Sequence, residues 1–227
     1  MSDHEDTEDE QTADGGRRVA RALVVGAAGI VPVLGPIASA LIDEFMPEQR
    51  ARRTVEFLSD LRDTLAGLED RIDLDFVRAD EFQGLMEEAL ERVASRRTEG
   101  MRAYYAAAVA NTALPNRPDE QARFRMMDIL AGLRPSHMAL LAAIAKGGQE
   151  PSPASEAFTV GQAAVASVNA ATRDLPGDVS ADLSDLERRG LTVRLDEALL
   201  AVAHDVRGLL TPLGSALVAF VGRPAPR

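Results

Sequence analysis

Between Arg21 and Asp43 the chain runs for twenty-one residues without a charge, ALVVGAAGIVPVLGPIASALI, and it does so nowhere else at comparable length. A run of that size reaches across a bilayer, which takes about 20 helical residues. Pro32 and Pro36 stand near its middle. Pro32 removes a helix donor and Pro36 suits a first-turn position, so the spacing predicts two short helices joined at Val33 to Gly35, each too short to span alone. Ala22, Gly26 and Gly29 share one small-residue face, and Gly35 and Ser39 repeat that spacing after the first proline. Arg17, Arg18 and Arg21 precede the run, where they would meet phosphate headgroups in a kinked transmembrane helix. Three arrangements compete: a buried core hairpin, a kinked span, or a hairpin stored in a soluble fold and released by a trigger. Base rates for an otherwise soluble chain rank the core hairpin first. The glycines in VVGAAGIVP do not make a dinucleotide turn, because Pro32 takes the third glycine's place and no second strand follows.

Everything after this run reads as arginine-rich helix. Twenty-four of the twenty-five basic residues are Arg, Lys146 being the exception, and the net charge is −11. No region is a basic patch, so general binding to nucleic acid, which requires neutralising several phosphates, is disfavoured. Aromatics are 4% with no Trp and no Cys. Cores built of Leu, Ala, Val and Met are expected, with no disulfide and no thiolate chemistry. MSDHEDTEDEQTAD opens the sequence as an acidic, self-repelling tail and lacks the basic start of a secretory signal.

Five segments are expected: an acidic tail over 1–16, the hydrophobic hairpin over 17–46, a helical bundle over 47–134, a winged-helix-like domain over 135–222, and a short tail over 223–227. In the bundle, a first helix is predicted from Pro47 to about Ile72 with a seam of Leu58, Leu61, Leu65, Leu68 and Ile72. A second helix opens at Asp80 with Gln83 as a capping-box partner, and buries Phe82, Leu85, Met86, Ala89 and Val93. A third covers about Thr98 to Leu114, with Tyr104 and Tyr105 as a core residue beside a half-exposed one. A fourth covers about Asp119 to Leu133 with Phe124, Met127 and Leu130 in step. The pairs Arg52/Arg53 and Arg96/Arg97 read as solvated partners of nearby acids. Short connections make the four an antiparallel bundle.

The last third changes character. Helices are predicted over Ser136–Lys146, about Thr159–Thr172 and about Ser180–Arg189, with Gly190 as a stop. LTVRL, a connection, GLL and the helix TPLGSALVAFV complete the order helix, helix, helix, strand, wing, strand, helix, a winged-helix order with a small β-hairpin. A groove-reading second helix is usually basic. In SADLSDLERRG the acids Asp182, Asp185 and Glu187 outnumber Arg188 and Arg189, which favours a protein partner over DNA and makes those two arginines the candidate contact.

No catalytic, cofactor or metal site is predicted. His4, His137 and His204 have no ligand spacing, and the chain lacks a nucleophile elbow, a phosphate loop and a calcium loop. Asp73 and Asp75, or Glu87 and Glu88, look like solvated acids.

TEGMRAYYAAAVANTAL (98–114), FRMMDILAGLRPSHMALLAAIA (124–145) and LSDLERRGL with LTPLGSALVAFV (183–191, 210–221) resemble, in this order, the abortive infection alpha (Abi-alpha) proteins of bacteria. Tyr105 and Asn111 match the YAxxxAN-like pattern, and Leu186, Gly190, Leu191, Leu213 and Gly214 match the C-terminal unit. The resemblance covers roughly residues 50 to 222 and implies a phage-defence setting without supplying a catalytic residue. The resulting expectation is a mainly α, non-enzymatic defence or toxin-like effector of the cytoplasm. Its hydrophobic hairpin would engage inner-membrane lipid, a protein partner or another copy, with Gly26, Gly29, Gly35 and Ser39 at the contact and Arg17, Arg18 and Arg21 as anchors. The alternatives are a soluble adaptor and, behind it, a DNA-binding regulator.

Overall fold

Leu58, Leu61 and Leu65 fall three and four residues apart with Phe57 beside them, and all four are buried. That stripe is what commits Glu48–Ala66 to an amphipathic helix, α1. The computed structural model describes residues 48–68, 71–94, 100–147, 168–169, 171–173, 175, 177–194 and 206–222, and these are mainly helical. The hairpin residues Arg17, Arg18, Arg21, Gly26, Gly29, Gly35 and Ser39 lie outside them, as do Arg96 and Arg97. Among the described residues no helix is long and apolar enough to cross a membrane. The chain divides into two units: the described residues up to Ala131 with Val221 and Gly222, and those from Gly132 to Phe220.

The first unit is bundle-like. After α1 come α2 (Leu74–Val77), α3 (Asp80–Ala94), α4 (Arg102–Thr112) and α5 (Glu120–Ala131). α4 packs on both α1 and α3, and its residues 105 to 110 are all buried. A helix enclosed nearly all round needs small side chains to let its neighbours approach, which is why AYYAAAVAN is so rich in alanine. Each enclosed Leu of α1 contributes about 1.5–3 kcal/mol from the area it removes from water. Arginine joins the helices at their edges. Arg102 of α4 donates Nε to Asp60 at 2.7 Å and also pairs with Glu56, both on α1. Arg53 donates to the Ala94 carbonyl at 3.0 Å, satisfying the C-terminal end of α3. Of the tyrosine pair, Tyr105 is the fully buried member and Tyr104 the half-buried one.

Four expectations are corrected here. α1 stops at Ala66 rather than Ile72; Leu68 N–H folds back to Leu65 O at 2.8 Å after Gly67, so Leu68 is still buried while Ile72 has left the helix. Asp80 and Gln83 form no capping box, because α3 begins on the Ala79 carbonyl and the Gln83 amide donates to Glu87. The α4 helix covers Arg102–Thr112 rather than extending to Leu114. On α5, Phe124 faces solvent at 42% exposure and Arg123 takes the interior at 5%. The short α2 was not anticipated; Asp73 caps it by accepting from Phe76 N–H at 3.2 Å.

That inversion on α5 has a local cause. The guanidinium carbons of Arg117 and Arg123 lie 3.8 and 5.2 Å from the centre of the Phe76 ring, which meets Phe82 edge-on at 5.8 Å. Arg123 also pairs with Glu81 and donates to Pro118 O at 2.5 Å. Arg117 donates to Asp73 at 2.8 Å, which together with the Phe76 N–H holds that carboxyl below the usual range. A ring, a carboxylate and a carbonyl thus offset the cost of burying Arg123.

In the second unit, α6 (Pro135–Lys146) packs on α7 (Val179–Arg188) and on a 3₁₀ helix, η1 (Val206–Leu209); α8 (Pro212–Val221) closes the sequence order. Asp178 caps α7 by accepting from Ser180 and Ala181 N–H, each at 3.1 Å. Gly190 ends it at φ 70°, a left-handed conformation that suits glycine. Its N–H bonds Glu187 O and the Leu191 N–H bonds Leu186 O, the paired bonds of a Schellman stop. Of the expected β-hairpin, the described residues hold a single antiparallel bridge, Thr192 with Leu210. It is flanked by Val193 N–H to Leu209 O at 2.8 Å and Thr211 N–H to Leu191 O at 3.1 Å. The ladder is this short because η1 winds Val206–Leu209 into a turn where a strand would need them extended.

Candidate functional site

The motif GL…LTPLG resolves into a backbone clasp. Thr211 caps α8, with its hydroxyl donating to Gly190 O at 2.7 Å and accepting from Gly214 N–H at 3.0 Å, and Pro212 takes the first helical position. A Cβ placed on Gly214 would lie 2.0 Å from Leu191 O, so only glycine permits α8 to approach the turn this closely. Gly190, Leu191 and Gly214 are therefore read by backbone geometry, while Leu186 and Leu191 fill the interior. Asn111, matched in the first motif, donates to the Gly222 carbonyl at 2.8 Å.

Beside the clasp lies the charged cluster that best qualifies as a site. His137, the third residue of α6, is 1% exposed. Its Nδ1 accepts the Arg134 backbone N–H at 3.2 Å, closing the first turn of α6. Arginine carries no acceptor, so only this half of a reciprocal capping box forms. Nε2 lies 3.3 Å from both an Asp182 and an Asp185 oxygen on α7. A neutral imidazole has one N–H, and with Nδ1 accepting, the proton sits on Nε2 and points to the carboxylates. Arg134 Nη2, 2.8 Å from Nε2, is then a fellow donor sharing Asp182, to which it bonds at 2.6 Å. Arg188 and Arg189 each hold Asp185 at 3.0 Å, and chiefly the Arg189 bond keeps the Asp185 carboxyl below its ordinary range. Burial, reinforced by Arg134, lowers the His137 pKa against the opposing pull of the two aspartates.

Both His137 nitrogens are occupied, one by backbone and one by carboxylates, so the ring presents neither to a substrate. What the cluster can do is tie the start of α6 to α7. The candidate contact residues Arg188 and Arg189 stand at its rim, with side chains 75% and 36% exposed, each already carrying a carboxylate. Asp182, counted above among the acids that set the charge of a groove-reading helix, is buried at 7%. It lies four residues before the fully buried Leu186, and an acid on an apolar helical stripe was the available signal for an enclosed ion pair. Among the described residues, no group of three or more His, Asp and Glu side chains is arranged to hold a metal ion. No family model, no curated protein and no solved structure matches the chain.

Proposed function

We propose that this chain is a non-enzymatic effector of bacterial defence, in which the helical body controls the uncharged stretch Ala22–Ile42 and the second unit, winged-helix-like in its order of elements, receives a protein partner. The observation that carries the choice of partner is the binding of Arg188 and Arg189 to Asp185 at 3.0 Å. A helix whose cations already hold a carboxylate gains little by neutralising phosphate, whereas a protein surface can exchange acids with it. The defence setting rests on the Abi-alpha resemblance, and membrane or oligomer contact through Gly26, Gly29, Gly35 and Ser39 rests on the sequence of the stretch itself. Induced expression in a bacterial host tests the proposal: growth should arrest with the full chain and recover when residues 22–42 are removed. Unimpaired growth with both would sink it. Sedimentation with anionic vesicles, with and without residues 1–46, separates lipid from protein as the target; full-length protein left in the supernatant excludes lipid.

A second reading, a soluble adaptor, is favoured by Leu74 and Phe124, large apolar side chains 40% and 42% exposed on the first unit. It expects Phe124→Ser to leave folding intact and weaken assembly, measured by light scattering.

A further inference from the structure

We propose that His137 is a proton-operated latch: neutral, it closes α6 onto α7; protonated, it releases them. The inference is independent of the function proposed above, since it concerns only this contact. Its basis is the division of roles between the two ring nitrogens. Nδ1 must accept from the Arg134 N–H, and a proton added there sets donor against donor and opens the first turn of α6. The second basis is the charge around the ring. From the cap before α6 comes Arg134; from α7 and the cap after it come Asp182, Asp185, Arg188 and Arg189. On η1, the other described element packed on α6, the sole charge is Arg207, which is exposed. Three guanidiniums already bond the two carboxylates, so an imidazolium would add positive charge to a cluster whose acids are taken, at a position 1% exposed. Neutral His137 spends its one N–H on the aspartates and its one lone pair on the backbone, leaving nothing unsatisfied.

The sign follows from linkage. The folded chain resists protonation more than the unfolded one, so the contact is at full strength above the ordinary histidine value of about 6.5 and weakens as pH falls below it. Nitrogen-15 spectra of the full chain, with His4 and His204 removed by substitution for assignment, read the ring directly. Expected is a neutral ring with the proton on Nε2 at neutral pH, titrating below a free histidine. Hydrogen exchange, corrected for intrinsic rates, should show the amides of Leu186 and Leu191 opening several-fold more often at about pH 5 than at about pH 7. His137→Gln, which donates an amide N–H without titrating, should remove that difference. A ring protonated on Nδ1, a titration above that of free histidine, or a pH response surviving in H137Q would overturn the latch. If H137Q does not fold, the spectra of the native ring still decide.

Discussion

Among the described residues, each unit of this protein buries one charged side chain, and the two are held by unlike partners. In the first, Arg123 is enclosed by Phe76, Glu81 and the Pro118 carbonyl. In the second, Asp182 is enclosed by Arg134 and His137. Guanidinium stays charged at any physiological pH, the ring beneath it has no proton to exchange, and carboxylates as a class titrate below the histidine range, so the first site holds its charges across about pH 5 to 8. Imidazole titrates within the physiological range, so the second is not. A buried ion need not be a switch; what makes it one is the titratability of its neighbour.

The sharpest way to break this comparison is to disable one unit alone. Gly214→Ala drives a methyl into the Leu191 carbonyl and should cost on the order of 3–5 kcal/mol. Amide exchange should show α7 and α8 losing protection while α1 and α4 keep theirs. Next come the buried charges themselves. Arg123→Ala removes the plug over Phe76 and should cost about 3 kcal/mol, equally at acid and neutral pH in urea unfolding. Asp182→Asn, which keeps shape but loses the ion pair, should cost about 1–2 kcal/mol, and more below the histidine range than above it, because Asp182 pulls the His137 pKa up. A pH-dependent loss in the arginine variant would erase the distinction between the sites.

Two smaller changes sharpen the picture of the first unit. The Tyr105 hydroxyl is buried without a partner, and burial pushes its pKa up to about 12. Tyr105→Phe should therefore raise stability by about 1 kcal/mol, since a desolvated hydroxyl is removed with nothing lost; a drop in thermal midpoint would reveal a bound water. Gly84 sits inside α3 with nothing within 4 Å of where a Cβ would be. Gly84→Ala should add roughly 0.5–1 kcal/mol by denaturant midpoint, the smallest effect of the series.

How far the sequence foretells this arrangement depends on what each residue answers to. Leu58, Leu61, Leu65, Phe82, Leu85 and Met86 obey helical spacing because apolar area alone decides their place, and all are buried. Gly190 and Pro212 announce a helix end and a helix start for steric reasons that act within a few residues. Arg123, Asp182 and His137 answer to partners 40 or more positions away, as in Arg134 with Asp182, separated by 48, and Phe124 faces out beside an Arg123 that faces in. No window on the sequence contains such a partner, so Phe124 reads as core and Asp182 as surface. The same holds for the strands: LTVRL has the right composition, but among the described residues it pairs only at Thr192, next to the end of η1. The stretch Ala22–Ile42, which shaped the functional expectation, lies outside the described residues.

The clasp of Thr211 and Gly214 over Gly190 and Leu191 has a practical consequence. Its bonds run from the Thr211 hydroxyl and N–H to the Gly190 and Leu191 carbonyls, and from the Gly214 N–H to that hydroxyl, so no titratable group takes part. The join between the end of α7 and the start of α8 should therefore hold at about pH 5 as it does at about pH 7, which makes the Gly214 amide a built-in reference against which exchange at Leu186 can be read.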